Sequence, residues 1–221
     1  MTLAFAVSIL LASAAAAPDA HEPMRDTLDH AEDYKHRETN TPEARRAIES
    51  YGQCVARREP GEANRLLTMD FRTSRYRTGL RLLAEEVERE CARDAIGRRV
   101  MRSAGLLFSG AVAEALLETD ATPLNARIVR NAAAKVKSYS PTDAAALCIA
   151  RSMPDHVATL FATAPGSEAE AAAAAPIAQI VPTCARAVGI SAKLEISVPA
   201  LRAMIATASY RLIAQSGDSN A

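Results

Sequence analysis

The sequence predicts an all-α protein, a tandem duplication of a three-to-four-helix unit with one internal disulfide in each unit. Three observations lead to this fold class. The apolar fraction is 49% of 221 residues, yet aromatic residues supply only 4% and tryptophan is absent, a composition that favours closely packed helices over strands. Apolar positions recur with helical spacing. Two stretches of the chain, which begin at Cys54 and Cys148, are similar to each other.

The similar stretches read CVARREPGEANRLL from Cys54 and CIARSMPDHVATLF from Cys148. At an offset of 94 positions five residues are identical in the two stretches. They are Cys54, Ala56, Arg57, Pro60 and Leu66 in the first, and Cys148, Ala150, Arg151, Pro154 and Leu160 in the second. Further on, residues 91–93 and 184–186 both read Cys-Ala-Arg at an offset of 93 positions, so one deletion separates the two blocks. Internal similarity of this kind indicates a duplicated supersecondary unit.

The N-terminal residues MTLAFAVSILLASAAAA form a short apolar run followed by small residues. This pattern is typical of a secretory signal peptide, here residues 1–16, although no Lys or Arg precedes the run. The run is shorter than the roughly 20 apolar residues that a membrane-spanning helix needs. A buried N-terminal helix is the alternative. Residues 17–40 are charged and lack periodicity, which predicts a disordered lead-in.

The first helical repeat is predicted over residues 41–118. Its first helix starts with Thr41 as the cap and Pro42 at the first helical position. Pro60 opens a shorter helix, a polar loop near 70–77 follows, and a third helix leads to Cys91. The last helix, about 106–118, is apolar nearly all round, which indicates a central and buried position.

Residues 119–139 are predicted to link the repeats and to contain a helix from Leu124 to Val136. The second repeat covers 140–214, with Ser140 as the cap of its first helix. Residues 167–170, Ser-Glu-Ala-Glu, form a capping-box pattern. Residues 215–221 are predicted to be a disordered tail.

Four cysteines without a C-x-x-C motif are expected to form two disulfides in an oxidising compartment. Of the three possible pairings, a duplicated unit most simply contains its own bridge. This predicts Cys54–Cys91 and Cys148–Cys184, each closing a loop worth about 4 kcal/mol in the chain-entropy model. A redox-active or metal-binding role for the cysteines is the alternative. The expected location is exported, either periplasmic or extracellular.

Each unit contains Cys-[Val/Ile]-x-Arg-x-x-Pro, a Leu six residues after that Pro and a second Cys. In the first unit a Gly-Ala-x-Ala-Glu-Ala-Leu helix follows, so the matching stretches there are 54–67, 91–93 and 110–117. This pattern resembles a group of uncharacterised exported proteins from alphaproteobacteria, over roughly residues 45–213. The second copy departs from the helix motif, with Thr207 where the first has Glu114. The resemblance implies export and duplication, and it transfers no functional residue.

Composition and motifs exclude several functional classes. The formal net charge is zero, which argues against nucleic-acid or membrane-surface binding. The chain has no G-x-S-x-G, P-loop, G-x-G-x-x-G or H-E-x-x-H motif, so no cofactor is predicted. No second apolar run is long enough to span a bilayer, so the mature chain is expected to have no integral membrane segment.

The stretch FRTSRYRTGLR is the first candidate site because arginine forks suit phosphate and carboxylate groups. The second repeat has no arginine in the equivalent stretch, so this feature is specific to the first. The alternative is a solvated loop balanced by nearby glutamates. The four predicted anion-binding residues are Arg72, Arg75, Arg77 and Arg81.

Glu114 is the second candidate, because it stands alone in an apolar helix. Burial would raise its pKa, but a catalytic carboxylate needs a partner group. The alternatives are a structural ion pair with Arg57 or Arg93, or exposure at the helix surface. His30 and His36 are the third candidate, as a weak Zn²⁺ or Cu²⁺ site; their place in the charged lead-in favours solvated side chains, and no metal site is predicted.

These observations together predict an exported envelope protein that is a non-enzymatic binding or interaction module. Its expected partner is another envelope protein or an anionic envelope ligand. One alternative is a hydrolase-type enzyme whose site lies between the repeats and uses Glu114 and the arginine loop. A second alternative is an anion-binding protein that uses the loop from Arg72 to Arg81.

Overall fold

A computed structural model describes residues 41–86, 90–91 and 105–217. These ranges contain helices and connecting turns and no strand, so the all-α prediction is confirmed. In these ranges two sets of four helices are separated by one short helix. In chain order the helices are α1 Pro42–Arg58, α2 Pro60–Leu67, α3 Ser74–Glu86, α4 Gly105–Glu118, α5 Leu124–Asn131, α6 Pro141–Ser152, α7 Pro154–Phe161, α8 Glu168–Ala187 and α9 Val198–Gly217.

The helices α1 to α4 correspond one by one to α6 to α9. The starts of α2 and α3 lie 94 positions before those of α7 and α8, and the start of α4 lies 93 positions before that of α9. The residues between the first two helices of each set have similar backbone angles: Glu59 has φ −124° and ψ 54°, and Met153 has φ −135° and ψ 51°. The two halves are therefore similar, as a tandem duplication predicts.

The predicted caps form as the sequence indicates. The side-chain oxygen of Thr41 accepts a hydrogen bond from the Ala44 amide at 3.1 Å. Ser140 and Ser167 accept from the amides of Asp143 and Glu170, both at 3.1 Å. Each cap satisfies an amide that has no partner inside its helix, which sets the point where the helix begins.

Three predicted boundaries differ from the structure. The Tyr76 amide donates to the Thr73 hydroxyl at 3.2 Å, so α3 begins at Ser74, inside the stretch predicted as a loop. The linking helix ends at Asn131, five residues before the predicted end. The last helix continues to Gly217 instead of ending at 214. The predicted signal peptide, the charged lead-in with His30 and His36, and residues 218–221 lie outside the described residues.

Both predicted disulfides are present. Cys54 is bonded to Cys91 and Cys148 to Cys184, with a Cα–Cα distance of 5.6 Å in each, within the usual range. One bridge joins α1 to the helical residues after α3, and the other joins α6 to α8. All four cysteines are used, so the redox-active and metal-binding alternatives have no free thiol.

The helices α4 and α9 cross at the centre of the molecule, where α4 also packs on α1 and α9 on α6. The two helices make a close contact between Gly110 and Ala203, where a Cβ atom on the glycine would be 2.5 Å from the Cβ of the alanine. These two residues are equivalent in the two halves, since they lie 93 positions apart. The halves therefore meet through the same point of their last helices, and this point accepts no side chain on α4.

Replacing Gly110 with Ala is expected to lower the free energy of unfolding by about 1–3 kcal/mol, because the added methyl overpacks the α4–α9 contact. Chemical denaturation measures this change. The control is Gly61→Ala in α2, where a Cβ meets no atom within 4 Å. That variant is expected to gain about 0.5–1 kcal/mol from the higher helix propensity of alanine. A G110A protein as stable as G61A would contradict the close contact.

Candidate functional site

The two sides of the crossing between α4 and α9 are lined by different kinds of side chain. On one side lies a cluster of buried charged residues, and on the other lies a large apolar pocket. The two sides are formed by positions that are equivalent in the two halves. Glu114 in the charged cluster corresponds to Thr207 in the pocket wall, and Arg202 corresponds to Ser109. Because a pair of long charged side chains is replaced by two small hydroxyl residues, space is left open on the pocket side.

The charged cluster is centred on Glu114 in α4 and Arg202 in α9, both almost fully buried. The Nε atom of Arg202 donates to the two carboxylate oxygens of Glu114 at 2.9 and 3.0 Å, and an Nη atom donates to one of them at 2.6 Å. The other Nη atom lies 3.3 Å from Glu170. Glu170 also accepts from Arg45 of α1 at 2.5 Å. The cluster therefore connects α1, α4, α8 and α9.

Backbone groups complete the hydrogen bonds of the cluster. Arg202 donates to the carbonyl oxygens of Thr163 at 3.0 Å and Phe161 at 3.3 Å. The second carboxylate oxygen of Glu170 accepts from the Gly166 amide at 3.0 Å, just before α8, whose N-cap is Ser167. A buried guanidinium is tolerated only when its donors are paired, and here all three nitrogen atoms of Arg202 donate to oxygen atoms.

The cluster contains more carboxyl groups than guanidinium groups. Glu49 of α1 lies beside it, so Glu49, Glu114 and Glu170 face Arg45 and Arg202. Burial raises the pKa of Glu114 to about 8, against the hydrogen bonds from Arg202, and burial also raises the pKa of Glu49. Because a guanidinium in contact with carboxylates stays charged, the raised pKa values of Glu49 and Glu114 belong to coupled carboxyl groups of one cluster.

Two of the three expectations for Glu114 are wrong. Its partner is Arg202 and not Arg57, which is exposed, and Glu114 is buried instead of lying at the helix surface. Arg93, the other predicted partner, lies outside the described residues. The space beside the cluster is only about 30 Å³, about enough for one water molecule. The cluster therefore holds the halves together and leaves no room for a substrate beside Glu114.

The apolar pocket has a volume of about 850 Å³ and lies between the two halves. Its walls come from α1, α3 and α4 of the first half and from α6 and α9 of the second, with further residues from the end of α2 and the turn after it. Four of the seven aromatic residues in the described ranges line it, in a chain that has few aromatic residues. Its large apolar lining residues include Tyr51, Leu67, Phe71, Leu80, Phe108 and Met204.

A buried ion pair forms the polar part of the pocket wall. Arg211 of α9 is hydrogen bonded to Asp143 at the start of α6. Asp143 also accepts from the Tyr139 amide at 2.9 Å, and the Arg211 guanidinium lies 5.6 Å from the centre of the Tyr139 ring. The Nε–H of Arg211 has no hydrogen-bond partner among the described residues. Close by, burial raises the pKa of Tyr76, so its hydroxyl stays neutral at physiological pH.

The structure divides the predicted anion-binding arginines. Arg77 and Arg81 line the pocket and are exposed, which places them at its rim, whereas Arg72 and Arg75 do not line it. Arg72 is paired with Asp70 at 3.0 and 2.8 Å, and hydrogen bonds from Arg72 lower the pKa of Asp70 to about 2. The four arginines therefore do not form one anion-binding loop.

The sequence predicted Glu114 as a candidate, and Arg77 and Arg81 on the pocket side, but not their buried charged neighbours. Arg202 and Arg211 stand in the apolar stripe of the last helix, and this was the available signal. Glu170 was predicted only as part of a capping-box pattern, and Asp143 was not a candidate residue. Both also pair with an arginine of α9, so a cap residue serves a second purpose that helix rules do not predict.

The described residues contain no group of three or more His, Cys, Asp or Glu side chains placed to hold a metal ion. Among the described helices, none combines the length and the apolar character needed to cross a bilayer. No protein-family model matches the chain, and neither a curated protein nor a solved structure shows significant similarity to it. The function is therefore inferred from the geometry of the apolar pocket.

The charged cluster is expected to make stability depend on pH. Because burial raises the pKa of the Glu114 carboxyl from 4.5 to about 8 in the folded state, the stabilising contribution of the proton bound there is complete below pH 4.5. It is lost as the pH rises towards 8, with a slope of up to about 1.4 kcal/mol per pH unit for one proton. Chemical denaturation across this pH range measures the slope.

Glu49→Gln removes the excess negative charge and is expected to flatten this slope. The matched control is Glu62→Gln, which changes an exposed glutamate that pairs with Arg65 and should leave the slope unchanged. Equal slopes for E49Q and the unchanged protein would show that Glu49 contributes nothing to the raised pKa of Glu114.

Proposed function

We propose that this protein is an exported binding protein that takes the apolar part of a small molecule into the pocket between its two halves. The observation that supports this function is the aromatic-lined pocket of about 850 Å³. Sites for small organic ligands usually have volumes of about 300–1,000 Å³, apolar walls and a few polar groups. The pocket has this size and this kind of lining.

The difference between the halves also supports a binding role. Where the charged cluster fills one side of the α4–α9 crossing, the other side has Ser109 and Thr207 in a wall of apolar residues. Filling that space with side chains would stabilise the fold, since empty apolar volume costs free energy. A cavity kept open next to a closed equivalent is best explained by a ligand that occupies it.

The hydrolase alternative loses its candidate residues. Glu114 borders the small cavity beside the charged cluster, whereas Arg77 and Arg81 lie at the rim of the large pocket. Glu114 and these arginines therefore share no cavity, and the Asp143 carboxylate in the pocket wall is held in its ion pair with Arg211. Two internal disulfides and the signal-peptide pattern of residues 1–16 support export, and so does the resemblance to exported alphaproteobacterial proteins.

A side chain that fills the pocket is expected to abolish binding of an apolar probe. Ala146 of α6 lines the pocket, so Ala146→Phe places a ring in the space that the probe needs. We expect binding of the fluorescent apolar amine N-phenylnaphthylamine to weaken at least about tenfold in this variant. Because the ring enters an existing cavity, the unfolding free energy should stay unchanged or rise by about 0.5–2 kcal/mol.

Ala145→Phe is the matched control, because Ala145 is equally buried on the same helix and does not line the pocket. This variant is expected to lose about 1–3 kcal/mol of stability by overpacking and to keep the probe affinity. A probe that binds neither the unchanged protein nor either variant would overturn the proposed function, as would undiminished binding to A146F.

Export is expected to remove residues 1–16. When the full chain is expressed in a Gram-negative host, the protein in the periplasmic or extracellular fraction should begin at Ala17, as N-terminal sequencing would show. Leu10→Arg interrupts the apolar run and should keep the full-length chain in the cytoplasm. Ser8→Ala preserves the run and is the control. A full-length chain in the exported fraction would contradict the signal-peptide prediction.

A further inference from the structure

We propose that the ligand is an amphiphile with an anionic head group, which Arg77 holds at the rim while the apolar tail lies in the pocket. This inference rests on the proposed binding function and adds the chemical class of the ligand. It follows from the arrangement of side chains on α3 and from the pairing of charges around the pocket.

Helix α3 presents two parallel stripes to the pocket. Tyr76, Leu80 and Ala84 are four residues apart and line the interior, and the first two are buried. The exposed residues that follow each of them form the second stripe, at the rim: Arg77, Arg81 and Glu85. Residues four positions apart lie on one face of a helix, so an apolar stripe and a charged stripe run side by side for about 13 Å. An amphiphile that lies along α3 meets both.

Charge pairing around the pocket leaves one arginine available. Both carboxylate oxygens of Glu85 accept from Arg81 at 2.8 Å, and Asp143 pairs with Arg211. Arg77 has no carboxylate partner among the described residues; it donates to the backbone carbonyl of Arg72 at 2.8 Å from one nitrogen. Its remaining donors are free to bind an anion. The pocket lining therefore carries one unbalanced positive charge, and it lies at the rim.

The buried arginine is a poorer place for the head group. Arg211 is paired with Asp143, and an anion placed deep in the pocket would meet that carboxylate as well as the guanidinium. Desolvating the anion there would add a further cost. At the rim the head group keeps contact with water while Arg77 supplies a charge-assisted hydrogen bond. The deep wall, with Phe108 and Leu80, suits the apolar tail.

A matched pair of fluorescent probes tests the head group. Anilinonaphthalene sulfonate is close in structure to N-phenylnaphthylamine and carries an added sulfonate, so the anion is the main difference. The mature protein without substitutions is expected to bind the sulfonate about threefold to tenfold more tightly than the neutral amine. Dodecanoate should displace both probes. Arg77→Ala should remove this preference, so that the variant binds the sulfonate and the neutral amine with similar affinities. Salt should weaken the preference, because the rim is exposed.

Arg75→Ala is the control, since Arg75 is an exposed arginine on the same helix that does not line the pocket. This variant should keep the preference for the sulfonate. Equal affinities for both probes in the unchanged protein, or an undiminished preference in R77A, would overturn the anionic head group and leave the apolar pocket intact. Failure of both probes to bind the unchanged protein would instead overturn the proposed function itself.

Discussion

The contact between Gly110 and Ala203 determines the rest of the architecture. With no side chain on Gly110, the backbones of α4 and α9 approach closely, and the two halves meet through equivalent positions. Each side of the crossing then receives a residue one turn after the contact on one helix and the residue just before the contact on the other helix. On one side Glu114 and Arg202 fill that space with hydrogen bonds. On the other side small residues leave it open, so one close helix contact produces both the charged cluster and the pocket.

The comparison of the halves separates scaffold from function. Features present in both halves, such as Cys54 with Cys148 and Pro60 with Pro154, set helix ends and covalent crosslinks. Features present in only one half occur around the α4–α9 crossing. A scaffold with two similar halves supplies two equivalent spaces, and different side chains can close one with an ion pair and line the other with aromatic residues. This division accounts for a large pocket on one side of the crossing and a small cavity on the other.

Much of the fold was predictable because it depends on short-range signals. Thr41, Ser140 and Ser167 mark helix starts through hydrogen bonds within three residues, and the repeat selected the disulfide pairing. The site was less predictable because it depends on contacts between distant segments. Glu114 and Arg202 are 88 residues apart, and no spacing rule links them. The arginine stretch suggested anion binding, which stays a prediction, and only the fold shows which of its arginines line the pocket.

Glu170 has a consequence for how the chain folds. Its carboxylate contacts the Gly166 amide at the start of α8 and two arginines, Arg45 from the first half and Arg202 from the last helix. Separating the halves would take Glu114 away from Arg202 and Arg45 away from Glu170. Neither half therefore completes these buried pairs by itself. Despite its repeated sequence, the chain joins its halves through buried charges, unlike a repeat array in which each unit is stable through its nearest neighbours alone.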